Sequence, residues 1–295
     1  MAVPAGKPKR SLIAPTEDEW RAMSPDERMR LLVDINEGLS DPPIAMSEGR
    51  PHKKAKSAVL DKLGLHYSST GRAIYLAEEM AVLYPGQESF SPNILVVLDI
   101  PQPEDDERMA WVVVEEGKGL DLVIEVLHRG DRHKDLVANV ERYAQLSIPE
   151  YFIYDRLRQQ IHGYRLPRPK ATRYERVVPQ FGRYASIVLG LDLAVVGGNL
   201  RFYYGQAELI CTADLIDRLK GMMEDLEAKA DQAQAQAEQA RDALRASILA
   251  LLSARGLACP EEAQARVSSC DDLSTLQRLL LRAATAGTVE EILSA

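Results

Sequence analysis

Glu125 interrupts an otherwise apolar run. Leu122, Val123, Ile124, Val126 and Leu127 surround it, a partly β-branched stretch of the length expected for a strand covered on both faces. A carboxylate in such a strand loses hydration, so a cation, a metal ion or hydrogen-bond donors must stand beside it. Just downstream, His128, Arg129, Arg132, His133 and Lys134 gather positive or titratable groups around Gly130 and Asp131, a composition that could hold a polyanion. Two readings fit. In one, Glu125 serves a cation while the basic loop holds a phosphate. In the other, Glu125 pairs with an arginine and only secures the sheet.

The elements that must position these groups can be read around them. Asp135 suits a helix start, Leu136, Val140, Tyr143 and Ala144 recur at helical spacing, and Ile148-Pro149 ends the run. Tyr151, Phe152, Ile153 and Tyr154 then read as a strand. A strand, a helix of this length and a second strand predict a right-handed parallel crossover, with the basic loop above the sheet edge.

Three stretches, in this order and spacing, resemble the Uma2-like proteins of the PD-(D/E)XK nuclease superfamily. They are Ser91-Pro92-Asn93-Ile94-Leu95-Val96-Val97, Asp121 through Leu127, and Asp135 through Tyr143 followed by Ile148 through Asp155. The likeness spans residues 45 to 205. It implies an α/β fold with a restriction endonuclease-like mixed sheet flanked by helices, and a DNA endonuclease dependent on Mg²⁺ or Mn²⁺. In the family pattern the proline precedes a metal-binding aspartate, whereas Asn93 stands here. The helix lysine of the family falls at Asn139, and Leu127 fills the other place where the superfamily carries its lysine.

The resemblance thus implies a metal site of Glu125, Asn93 and Glu79, weakened because an amide oxygen brings no charge to a hard cation. Catalysis would fall to Glu125, Asn93 and Lys134, with Lys134 swinging in to steady phosphate charge. Arg129, Arg132, His133 and Lys134 would contact DNA. Two function classes follow: a metal-dependent endonuclease of reduced or lost activity, and a catalytically degenerate module that binds DNA or a protein partner and assembles through its coiled coil.

Composition bounds these readings. With 295 residues, 46% hydrophobic and 27% charged, the chain can bury a core and more than one small domain. A net charge of −8 argues against coating nucleic acid along the whole surface but leaves room for a local basic cleft. Cys211, Cys259 and Cys270 lack CxxC spacing, which suits a reducing cytoplasm. No stretch has the length of a membrane span or the pattern of a secretory leader, so a cytoplasmic location is expected.

Four segments are expected: 1–50 with one helix, 51–206 as the nuclease-like core, 207–254 as coiled coil and 255–295 as a helical tail. Residues 1–15 read as unstructured. A helix should start at Ser24-Pro25 and carry Met29, Leu31, Leu32 and Ile35 on its apolar face. A linker fills 38–51. In the next helix, from His52 to Leu65, Ala55, Val59, Leu60 and Leu63 should face inward and Lys53, Lys54 and Lys56 outward. Residues 72–84 read as one strand carrying Glu78 and Glu79, Asp99 as a turn residue and Lys118 as a surface lysine. Strands beyond Asp155, including a hairpin at Gly197-Gly198-Asn199, should extend the sheet. From Leu219, Met223 and Leu226 through Ala230, Ala233, Ala237 and Ala240 to Leu244, steps of four and three form a heptad seam, and a homodimer through 212–254 is expected. Helices starting at Pro260, Asp272 and Thr288 should close the tail on Leu276, Leu279, Leu280 and Leu281.

Overall fold

The computed structural model describes residues 12–40, 50–103, 106–127 and 134–294. The expectations for residues 1–11, for the linker within 41–49 and for the basic loop 128–133 concern residues outside those described. The chain divides into two compact units, Met1–Asp214 and Leu215–Ala295.

The first unit opens with two helices. Thr16 and Glu19 form a reciprocal capping box at α1 (Glu17–Ala22), which sequence reading missed, and Ser24 with Glu27 does the same before α2 (Pro25–Ser40). Trp20 and Ile35 from these helices bury against β2 (Ala81–Leu83) and β4 (Ala110–Val112), a separate parallel pair. Met29, expected on the apolar face, is exposed. After β4 comes a single turn, α4 (Val113–Glu116).

The main sheet has six strands in the order β1-β3-β5-β6-β7-β8: β1 (Ile74–Glu78), β3 (Ile94–Leu98), β5 (Leu122–Leu127), β6 (Glu150–Asp155), β7 (Gln160–Arg165) and β8 (Glu175–Arg176). Only β5 and β6 pair in parallel, as the crossover reading requires. The connection holds a π-helical turn, Lys134–Ala138, running into α5 (Asn139–Gln145). Strand periodicity divides β5 between two cores. Leu122, Ile124 and Val126 meet Val59, Leu63 and Tyr67 of α3 (Arg50–Thr70), while Val123 and Leu127 meet Tyr143 and Tyr151. Glu125 lies between Val123 and Leu127 and shares their face.

Three expectations are corrected. The strand read over 72–84 breaks at Glu79, whose φ of 53° lies in the left-handed region. Lys118 is not a plain surface lysine, since its Nζ donates to the Leu98 carbonyl at 2.6 Å and pairs with Asp121 at 2.8 Å. The later strands do not all extend the main sheet. Four of them, β9 (Tyr184–Ser186), β10 (Leu191–Val196), β11 (Asn199–Tyr204) and β12 (Ala207–Glu208), make a second sheet whose Leu193, Leu200 and Phe202 join the core under α3. Their apolar face is buried there, which edge extension of the first sheet would have left exposed. The Gly197-Gly198 hairpin is present, both glycines having positive φ. Asp99 is a turn residue as read, with φ 58° and a bidentate pairing to Arg72.

In the second unit the long helix α6 (Thr212–Ala254) contributes Ile248 and Leu252 to a core with α7 (Glu261–Ser268), α8 (Leu273–Thr285) and α9 (Val289–Leu293). Asp272 and Thr288 cap α8 and α9 as expected. Leu276 and Leu279 are buried, but Leu281 is 72% exposed, because the stripe Leu276, Leu279, Ala283 passes it by. Earlier on α6, Leu219, Met223 and Leu226 are exposed. Among the described residues no helix is long and apolar enough to cross a membrane.

Candidate active site

Glu125 is 5% exposed, and both of its carboxylate oxygens are engaged. Oε2 accepts the Asn93 backbone N–H at 3.1 Å and Oε1 accepts the Tyr143 hydroxyl at 3.2 Å. Asn93 immediately precedes β3, and the Ile94–Ile124 register brings it beside Glu125. Its side-chain Oδ1 accepts the Val126 N–H at 2.8 Å, continuing the strand ladder with an amide oxygen. An aspartate could accept the same bond, but would add a charge in a spot already short of solvent. Asn93 therefore satisfies the sheet at the cost of cation affinity.

A second carboxylate stands close by. Asp135, in the π-helical turn, accepts Asn139 Nδ2 on its Oδ1 at 2.9 Å, and its backbone carbonyl accepts the Tyr151 hydroxyl at 3.1 Å. Sequence reading placed Asp135 as a helix cap. It contributes charge instead: burial first and then the negative charge of Asp135 push the Glu125 carboxyl up to about 8. The Asn93 N–H, the positive charge of Lys134 and the Tyr143 hydroxyl act in the opposite direction. Burial likewise pushes the Tyr143 and Tyr151 phenols well up, with the Glu125 charge adding to it. The two rings meet edge to face at 4.9 Å and wall the site. Wide turns of the π type are rare and recur at functional positions, and this one carries both Lys134 and Asp135.

The remaining site residues fall as follows. Lys134 is exposed at the start of the turn, within electrostatic reach of Glu125. Glu79 is 51% exposed and forms an ion pair with Lys56. Its backbone N–H is shared between the carbonyls of Pro92 and Asn93 at 3.1 and 3.3 Å, so the pair is tied to the segment that holds Glu125. Arg129, Arg132 and His133 lie outside the described residues.

Sequence reading also placed Lys56 wrongly, on the outer face of its helix. It is 2% exposed, because His52, Lys56, Val59, Leu63 and Tyr67 form one stripe of α3 at steps of four and three. Extending the Val59 and Leu63 spacing one turn back would have found it.

Among the described residues no group of three or more His, Cys, Asp or Glu side chains is arranged to hold a metal ion. The oxygen donors near Glu125 are of the hard kind that Mg²⁺ or Mn²⁺ takes. Among the described residues each Glu125 oxygen accepts one bond, and a carboxylate oxygen can accept a second. The residues therefore fit a weak site of two carboxylates, with Asn93 Oδ1 committed to the sheet.

A family model described as "Putative restriction endonuclease" matches residues 40–196, more than half of the chain. No curated protein matches. Among solved structures, a "putative nuclease belonging to DUF820" from Anabaena variabilis is 17% identical, with a TM-score of 0.40 over 51% of this chain and 80% of that one. By the extent of the family match, the chain belongs to the Uma2 family.

Proposed function

We propose that the Glu125 site is a cation-assisted phosphodiesterase site acting on DNA, working slowly. The observation that carries this is Glu125, buried in β5 beside Asn93 and Tyr143, its carboxyl pushed up first by burial and then by the charge of Asp135, with Lys134 near enough to oppose both. A bound cation would relieve the repulsion between these two carboxylates. Glu125 and Asp135 would hold Mg²⁺ or Mn²⁺, which would supply a more acidic water and charge neutralisation at the phosphodiester. The Asn93 N–H and the Tyr143 hydroxyl fix the direction of the Glu125 carboxylate, and Lys134 offers charge to the developing phosphorane. Arg129, Arg132 and His133 would take neighbouring phosphates. Membership of a family described as restriction endonuclease supports DNA as the substrate.

Supercoiled plasmid nicking with Mg²⁺ or Mn²⁺ tests this. The protein should nick slowly and lose all nicking as Glu125→Gln. Asn93→Asp should raise the rate, and adding Asn139→Lys should raise it further, since a preorganised cation is worth about 2–4 kcal/mol in such a transition state. Equal, metal-independent behaviour of all these proteins would sink the proposal.

Asn93 and Asn139 favour a second reading, a non-cleaving member of the family that binds DNA or a protein partner. Both amides stand where the family carries charged groups and are satisfied inside the protein, by Val126 and Asp135. Retained DNA affinity with no nicking in any variant would select it.

For assembly we propose a homodimer through 212–254, supported by exposed apolar groups at heptad steps, Ile216, Leu219, Met223 and Leu226. Full-length protein that sediments as a monomer at micromolar concentration would remove it. The cytoplasm is the proposed compartment, supported by three unpaired cysteines.

A further inference from the structure

A second concentration of positive charge in this acidic chain lies in a segment apart from the loop after Glu125. Residues 156–183 hold eight of its 36 lysines and arginines and one of its 44 acids, Glu175. Between β8 and β10 this segment forms an open pocket of about 640 Å³, lined by Arg165, Arg176, Arg183, Val178, Phe181 and Asp192 among others. Two of the three guanidiniums are partly used. Arg165 Nε donates to buried Glu150 at 2.6 Å, while Arg183 donates to the Gly205 carbonyl at 2.7 Å and lies 4.0 Å from Asp192. Arg176, on the two-residue edge strand, makes no side-chain hydrogen bond or ion pair among the described residues. Arg168, Lys170 and Arg173 of the same segment likewise make none there.

At the rim stands an aromatic ring with no packing role. Gln180 and Arg183 exchange backbone hydrogen bonds at 2.8 and 2.9 Å, leaving Phe181 and Gly182 as a two-residue turn with φ of 51° and 78°. Glycine, asparagine and aspartate suit such a turn, and phenylalanine does not. Phe181 is nevertheless there, and at 106% relative exposure it touches solvent throughout. A disfavoured backbone state that presents a bare ring points to recognition, because nothing in the fold repays it.

We propose that this hairpin and pocket bind single-stranded nucleic acid, with phosphates on Arg176 and Arg183 and an unstacked base on Phe181. Unused arginine beside an exposed ring on a hydrogen-bonded turn is the combination single strands require. Duplex offers the same phosphates but keeps its bases stacked away from a ring. The surface is separate from Glu125 and holds whether or not that site cleaves.

The test is fluorescence anisotropy of full-length protein with a labelled single-stranded DNA oligonucleotide and with its duplex, across a salt series. Phe181→Asn suits the left-handed turn, so it should fold with a Tm at or above that of the parent while binding the single strand about tenfold more weakly. Arg176→Gln should weaken binding and reduce the salt slope by about one. Single-strand affinity unchanged in Phe181→Asn would overturn the proposal, as would absence of single-strand binding by the parent or equal losses for single strand and duplex. Plasmid nicking reads out the Glu125 site separately, so the two proposals fail by different measurements.

Discussion

Two adjacent, parallel strands each carry a buried glutamate, and the fold treats them in opposite ways. Glu150, the first residue of β6, receives Arg165 Nε at 2.6 Å, the Ser186 hydroxyl and the backbone N–H groups of Ile187 and Val188 at 2.9 and 3.4 Å. Glu125, within β5, receives one backbone N–H and one tyrosine hydroxyl and faces another carboxylate. Glu150 has its cation built in and stitches β6, β7 and the start of the second sheet together. Among the described residues Glu125 has no arginine or lysine bonded to it, and Lys134 acts on it only through its charge. This difference among the described residues is what supports the cation role proposed for Glu125.

The contrast can be broken at either end. Arg165→Met should remove the cation from Glu150 and cost about 3–5 kcal/mol, read as a shifted urea midpoint with unchanged slope. Glu125→Gln should not destabilise the protein at neutral pH and should raise its stability there, since folding of the parent must protonate a carboxyl that is ionised in the unfolded chain. Comparable losses in the two variants would erase the distinction.

The pH dependence sharpens it. The Glu125 carboxyl lies at about 8 in the folded chain against an ordinary value of 4.5, so the folded state binds the proton more tightly. Its contribution is fully present below pH 4.5 and declines as pH rises through about 8. Glu125→Gln should lack that decline, so its stability relative to the parent should climb across this window and level off above it. A difference that stays constant with pH would mean that Glu125 is ionised and compensated, as Glu150 is.

A smaller effect comes from the cation itself. At alkaline pH, millimolar Mg²⁺ should raise the Tm of the parent slightly and that of Asn93→Asp more, following the logarithm of cation over Kd. No Tm response in either protein would leave Glu125 without a cation role. The smallest expected change is Lys56→Met. Half-exposed Glu79 can rehydrate once its partner is gone, so stability should stay within about 1 kcal/mol.

Much of this site was legible from residue order. Glu125 stood out because strand periodicity makes a charge among Val, Ile and Leu conspicuous, and the β5 to β6 crossover followed from segment lengths. Glu150 was silent, because an acid at a strand start looks like a turn residue until Ser186 and Arg165 are folded onto it. Asp135 was misread for a related reason: its charge matters through proximity to Glu125, while local spacing offers only a capping role. Lys56 was misassigned because residue type was allowed to outweigh helical phase. The second sheet escaped notice since alternation tells that β10 and β11 bury one face, not which surface covers it.

The π-helical turn at Lys134–Ala138 carries a further consequence for how this helix could change over generations of sequence drift. A turn of this kind holds one residue more than the α-helical path needs. Deleting a single residue there would let the backbone close as an ordinary helix and rotate everything upstream by about 100° relative to Tyr143. Lys134 and Asp135 would leave Glu125 together, while β6 kept its place. One codon's loss could thus disconnect the charged groups from an intact sheet, so length variation at this point would separate related chains that keep the charge cluster from those that have discarded it.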